Sequence, residues 1–289
     1  MARAKMTIRQ LRQLRARTSW TRFHLPRGQD WPTWSNAYSD TQIGPLSGVA
    51  GCLKVWLGRK VEDPEQAALI IHWESAESLK DFQASPACAG FLRGLPENDV
   101  QASITSGALL QGLSLDDAGE ASLSSVQSRF LTFKWTYGCV FENNLKARIT
   151  TTALEIPYTG NPTPESWAKT VDGTFRNFSP KCYEDFRVYW PRPRTYTWTA
   201  WAWVDSDLYQ LGNRAVFCEF RRWIKDTGDA AFNGATPERE EVVSKSPETR
   251  ESWAQAVAEV MPPVAAWEQE RWDIQAATHF IPPEEDEEE

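Results

Sequence analysis

Glu219 and Arg221 place a carboxylate and a guanidinium two positions apart in the apolar run Arg214 to Ile224. Residues two apart on a strand share a face. A carboxylate drawn out of water among aromatic rings holds its proton more tightly and is suited to proton transfer, and a neighbouring guanidinium can orient a substrate carboxylate or hold an enolate. Alternation sets Val216, Cys218 and Phe220 on one face, suited to covering helices. It leaves Phe217, Glu219, Arg221 and Trp223 on the other, which is expected to look into an enclosed interior. A structural ion pair is the competing reading.

Imidazole chemistry has three candidates: His24 in an irregular segment, His279 near the tail, and His72 in the run Ala67 to Trp73. His72 is the one to test, although its alternation with Ala68 and Ile70, opposite Leu69, Ile71 and Trp73, also fits a histidine packed beneath helices. Lys54 and Trp56 lie on the polar face of the neighbouring run and are further pocket candidates. Fifteen tryptophans in 289 residues suggest a flat or conjugated ligand held by large rigid apolar surfaces. Trp56, Trp73, Trp201, Trp203 and Trp223 are the candidates to bind it, and plain core packing is the alternative for any one of them.

Other chemistries find no support. Cys52, Cys88, Cys139, Cys182 and Cys218 are widely spaced, odd in number and without a Cys-x-x-Cys pair, as buried thiols in a reducing compartment would be. Dinucleotide, Walker, Gly-x-Ser-x-Gly and His-Glu-x-x-His motifs are missing. The scattered histidines and cysteines lack the spacing of a zinc or non-haem iron centre. The expectation is a reaction without a tightly held cofactor and without a bound metal.

The elements that must position these residues follow from periodicity. Leu53, Val55 and Leu57 alternate with Cys52, Lys54 and Trp56 as a strand, and a denser strand spans Ala67 to Trp73. Ser75 caps a helix reaching about Leu92, which Pro86 divides. Val100 to Leu110 is a further candidate strand. Strands are expected near Phe130–Trp135, Arg148–Ile156, Tyr196–Val204, Arg214–Ile224 and Val264–Ile274, with helices from Pro164 to about Phe178 and from Pro247 to about Val260. The resulting organisation is a basic arm (1–22), a first repeat (23–111), a linker (112–128), a second repeat (129–283) and an acidic tail (284–289). The order strand, helix, strand, strand, helix, strand in the second repeat, echoed in the first, reads as tandem ferredoxin-like units of an α+β fold. The opening of the first unit, residues 20 to 50, shows no clean period.

The net charge of -8 is unevenly spread, with eight arginines and lysines ahead of the first acid at Asp30 and six acids in Glu284 to Glu289. The body between is acidic, a poor partner for nucleic acid. No apolar run reaches the roughly 20 residues of a membrane-spanning helix. Met1 to Arg22, with Ile8, Leu11 and Leu14 at helical spacing, is either a basic arm on a cytoplasmic protein or an organellar transit segment.

The stretch Leu69-Ile70-Ile71-His72-Trp73-Glu74-Ser75-Ala76-Glu77-Ser78-Leu79-Lys80-Asp81-Phe82, ending in Ser85-Pro86, resembles the antibiotic biosynthesis monooxygenase family. That resemblance implies a dimeric α+β barrel architecture enclosing a small-molecule pocket, here closed within one chain, as in fungal tandem members such as the polyene-cleaving oxygenases of fumagillin-like pathways. It further implies a monooxygenase of secondary metabolism acting on a hydrophobic, conjugated polyketide or terpenoid, with a homodimer as an option. Glu219 or His72 would take a proton and Arg221 or Lys54 would steady the resulting anion. A cofactor-free cyclase, isomerase or decarboxylase, or a metabolite-binding protein without catalysis, would use the same pocket.

Overall fold

The runs Cys52–Lys60 (β2) and Gln66–Trp73 (β3) pair antiparallel, with Lys54 opposite His72 and Trp56 opposite Ile70. The structure is a computed structural model. It describes residues 15–31, 44–96, 130–139, 141, 146–158, 163–175, 178, 180–182, 187–190, 192–195, 198–205, 214–223, 236–260 and 262–277. Ahead of β2 runs β1 (Arg17–His24), which pairs with β3 along its whole length. Residues 17–22 of the expected arm are therefore strand, because Thr18, Trp20 and Arg22 alternate with buried Ser19, Thr21 and Phe23. The rest of that arm, the candidate strand at 100–110, the linker at 112–128 and the acidic tail lie outside the described residues.

Pro86 divides the first helical region as expected, into α1 (Ala76–Gln83) and α2 (Pro86–Arg93). Ser75 Oγ accepts from the Ser78 amide at 3.1 Å, and Ser85 caps α2 ahead of its proline. Further strands are β4 (Leu131–Tyr137), β5 (Lys146–Pro157), β8 (Trp198–Val204), β9 (Arg214–Trp223) and β10 (Ala266–Ala276). Helices α3 (Pro164–Phe175), α4 (Pro237–Lys245) and α5 (Pro247–Glu259) cover the later part, and a short hairpin, β6 (Arg187–Trp190) with β7 (Arg192–Thr195), stands apart. The hairpin and α4 had no counterpart in the sequence reading.

The eight long strands close a barrel in the order β1-β3-β2-β10-β5-β9-β8-β4. Cut at two seams, β2–β10 and β4–β8, the ring gives β4-β1-β3-β2 and β10-β5-β9-β8, each the fourth-first-third-second order of a ferredoxin-like sheet. The architecture is thus a tandem ferredoxin-like α+β barrel. Because β4 lies beside β1, strand order divides the chain between β4 and β5 rather than at residue 129.

Three apolar layers hold this frame. All eight barrel strands contribute to an interior core that includes Trp20, Trp56, Trp135, Phe220 and Trp272, into which the loop residue Phe141 also inserts. Leu57, Leu69, Ile71 and Trp73 pack outward against α1 and α2. Leu154, Trp201, Phe217 and Trp223 pack outward against Val171 and Phe175 of α3 and Trp253 and Val257 of α5. Barrel strands are therefore buried on both faces, which explains their nearly continuous apolar character.

Candidate functional site

The interior face of β3 is Ala68, Ile70 and His72, since Ala68 and Ile70 belong to the barrel core while Leu69, Ile71 and Trp73 lie under the helices. His72 thus sits at one end of the barrel interior and not beneath helices. Its Nδ1 is 3.0 Å from Thr18 Oγ1, and the same oxygen accepts from Trp135 Nε1 at 2.7 Å. Lys54 stands opposite on β2, with Trp56 next along the same inner face. Burial, and then the charge of Lys54, pull the His72 pKa down to about 4, so the ring is neutral at pH 7.

The expected facing of β9 is reversed. Val216, Cys218 and Phe220 line the barrel interior, while Phe217, Glu219, Arg221 and Trp223 face α3 and α5. Glu219 Oε1 accepts from Arg221 Nη2 at 2.5 Å, and each residue is 1% exposed. Burial raises the Glu219 pKa and the adjacent guanidinium only partly offsets this, leaving it above the ordinary carboxylate value. Around the pair, Trp201 stacks on Phe217 at 5.1 Å, Trp203 lies 4.5 Å from Phe217, and Phe175 packs on both Trp201 and Phe217. The backbone N–H of Cys182 donates to Ser252 Oγ of α5 at 3.1 Å, tying the segment after α3 to that helix.

The two halves share a device that calibrates one against the other. In the first, Trp73 Nε1 donates to Ser19 Oγ at 2.8 Å, and in the second Trp223 Nε1 donates to Thr150 Oγ1 at 2.9 Å. Ser19 pairs across the ladder with Ile71, and Thr150 with Arg221. Counting back from each tryptophan, Ile71 corresponds to Arg221 and Leu69 to Glu219. The outer layer of this fold therefore closes with two aliphatic side chains in one half and encloses an ion pair in the other. A buried ion pair is poor value for stability compared with well-packed apolar residues.

The sequence candidates thus fall into two groups on opposite faces. His72, Lys54 and Trp56 share the inner face at one end of the barrel. Glu219, Arg221, Trp201, Trp203 and Trp223 share the outer face of the second half, and Trp73 lies on the outer face of the first. Trp73 and Trp223 make the same hydroxyl contact in both halves, a packing role common to the two. Sequence reading missed Thr18, hidden in the expected arm, and Trp135 and Trp253. The repeated strand ending, His72-Trp73 and Arg222-Trp223, was the signal that could have aligned the halves. Among the described residues no group of three or more histidine, cysteine or acidic side chains is placed to hold a metal, and no helix is long and apolar enough to cross a membrane.

With this geometry in place, residues 36–94 match the family described as antibiotic biosynthesis monooxygenase. The matched segment is less than half of the chain and carries β2, β3, α1 and α2. Among solved structures, a provisionally assigned monooxygenase from Fusobacterium nucleatum is similar at 10% identity and a TM-score of 0.41, covering 91% of this chain and 93% of that one. One from Lactobacillus acidophilus gives 7% and 0.39, covering 93% and 99%. An anthrone oxidase-like protein gives 10% and 0.37, covering 93% and 96%. At these identities and TM-scores nothing about chemistry carries over. No curated protein is significantly similar to the chain.

Proposed function

We propose that this protein is a monooxygenase-like enzyme whose reacting centre is the Glu219–Arg221 pair beneath α3 and α5. The observation that carries the reading is the placement of a buried carboxylate of raised pKa beside a guanidinium, among aromatic rings, where the other half has Leu69 and Ile71. The family match over residues 36–94 supports the reaction class. Glu219 in its carboxylate form takes a proton from an activated carbon of a conjugated substrate, and Arg221 holds the enolate or phenolate that results. The electron-rich anion then reduces molecular oxygen itself. At a methylene flanked by conjugated groups, a C–O bond forms to give a hydroperoxide. Its O–O bond breaks with loss of water, one oxygen stays as the carbonyl, and the methylene is oxidised by four electrons. Trp201 and Trp203 supply flat surfaces for such a substrate. The fitting substrates are polyketide or terpenoid intermediates of secondary metabolism, as in fungal tandem members of the family.

His72 supports a second reading, with the base at the barrel end. In the tautomer whose Nδ1–H donates to Thr18 Oγ1, which also accepts from Trp135, Nε2 is the bare nitrogen that would accept the proton, and Lys54 would meet the anion.

The test is mass spectrometry of products formed by the purified protein under labelled oxygen gas, with extract of a host lacking the gene as substrate source. A labelled new product that disappears in Glu219→Gln and persists in His72→Ala is expected. The opposite pattern moves the centre to the barrel end. A new product without label would replace oxygenation by a cyclisation, isomerisation or decarboxylation.

A further inference from the structure

A cleft of about 350 Å³ opens on the outer surface of the β2–β10 seam, away from the Glu219–Arg221 pair. Its floor spans three neighbouring strands in two rows. Leu57, Gln275 and Lys146 form one row, since Gln275 pairs with Leu57 on β2 and with Lys146 on β5. Arg59, Asp273 and Arg148 form the next, through the same ladders. Trp31 makes one wall and Pro237, at the start of α4, the other.

The related positions at the opposite seam explain why a cleft exists here. Leu57 pairs with Leu69 and Arg59 with Ala67, while Trp201 pairs with Glu219 and Trp203 with Phe217. Two tryptophans therefore stand where this seam has a leucine and an arginine. The smaller Leu57 and the laterally held Arg59 leave the space open.

Most of the charge in the cleft is already committed. Arg148 donates to both carboxylate oxygens of Asp273, at 2.7 and 2.9 Å, and to Glu240 and Glu241. Arg59 donates to the Leu25 and Pro64 carbonyls, at 2.8 and 2.7 Å, feels the charge of Glu65, and lies 5.1 Å over the Trp31 ring. These contacts fix the indole wall in place. Side by side on the floor remain the Lys146 ammonium and the Gln275 amide, neither with a hydrogen-bond or ion-pair partner among the described residues.

We propose that this cleft is a binding site for a planar, singly charged anion, namely an aromatic carboxylate. Its ring lies against Trp31 and Leu57, and its carboxylate accepts from Lys146 Nζ and the Gln275 amide. One uncommitted cation beside one uncommitted amide suits a monoanion, and the volume falls within the range of small-molecule pockets.

The site is tested by calorimetric titration of the full chain with 2-naphthoate, and with 2-naphthamide as the uncharged counterpart. Lys146→Gln, a change at an exposed position, should weaken naphthoate by about fivefold and leave naphthamide unchanged. Trp31→Ala should weaken both by about tenfold. Glu219→Gln should change neither, which separates this site from the proposed reacting centre. Saturable naphthoate binding indifferent to Lys146→Gln or Trp31→Ala, or no binding at millimolar naphthoate, would overturn the assignment.

Discussion

Changing Glu219 to Leu and Arg221 to Ile writes the first half's side chains into the second. If the ion pair serves chemistry rather than folding, the double variant should match or exceed the native stability, by up to about 4 kcal/mol. Arg221→Ile alone, which takes the guanidinium from the buried Glu219 carboxylate, should cost about 3 to 5 kcal/mol, and Glu219→Leu alone should cost less than that. Urea denaturation of the three variants checks both statements, and the double variant should form no oxygenated product. His72 makes a separate prediction. Its folded pKa of about 4 lies below the unfolded value near 6.5, so the unfolded chain gains a proton first on acidification. Stability should therefore fall from about pH 6.5 to pH 4, by up to about 3 kcal/mol, and this slope should flatten in His72→Gln. A proton NMR titration of the His72 ring tests the pKa directly. Sequence reading selected His72, Lys54, Glu219 and Arg221 but set Glu219 and Arg221 on the wrong face of β9. Both faces of β9 carry aromatic and aliphatic residues, because one meets the barrel core and the other the helices, and alternation alone does not say which is which.

Among the elements, those with their own punctuation were legible. Ser75 and Ser85-Pro86 set the starts of α1 and α2, and Pro164 and Pro247 begin α3 and α5. The strand β1 was obscured because Arg17 and Arg22 continue the basic run before it, although Arg22 turns inward to Glu270. Helix α4 escaped because Pro237–Lys245 is mostly polar, and its buried member is Glu240, whose partner Arg148 is distant in sequence. One turn is fixed sterically. Gly51 has φ +75, its carbonyl accepts from the Glu74 amide at 2.8 Å, and a Cβ there would fall 2.2 Å from Ser78 Oγ. Gly51→Ala should lower stability by about 1 to 3 kcal/mol, measured by denaturant midpoint, whereas Gly28→Ala, with open space around it, should be nearly neutral.

At the scale of the whole molecule, ion pairs bind one half to the other. Arg22 and Lys60 of the first half both reach Glu270 of the second, at 2.8 and 3.0 Å, and Arg271 meets Glu62 across the same seam. At the other seam Arg17 meets Asp205 at 2.8 Å. Burial raises the Glu270 carboxyl, but Arg22 and Lys60 more than reverse this, so its pKa is lowered. Its contribution is present above the unfolded carboxylate pKa of about 4.5 and is lost as pH falls through the lower folded value. Glu270→Gln should therefore weaken the barrel at neutral pH and remove stability loss below that of His72, read by denaturation at stepped pH. Both seams close within one polypeptide, so the unfolding midpoint of the barrel should not depend on protein concentration, as it does for barrels assembled from separate subunits.

That single-chain closure also changes what one substitution can do. In a barrel made by pairing identical subunits, each altered codon appears at two symmetry-related places, and an ion pair introduced in one outer layer is imposed on the other. Here Glu219 and Arg221 occur once while Leu69 and Ile71 keep the related layer dry. One half is free to acquire a buried ion pair in its outer layer because its twin continues to act as scaffold.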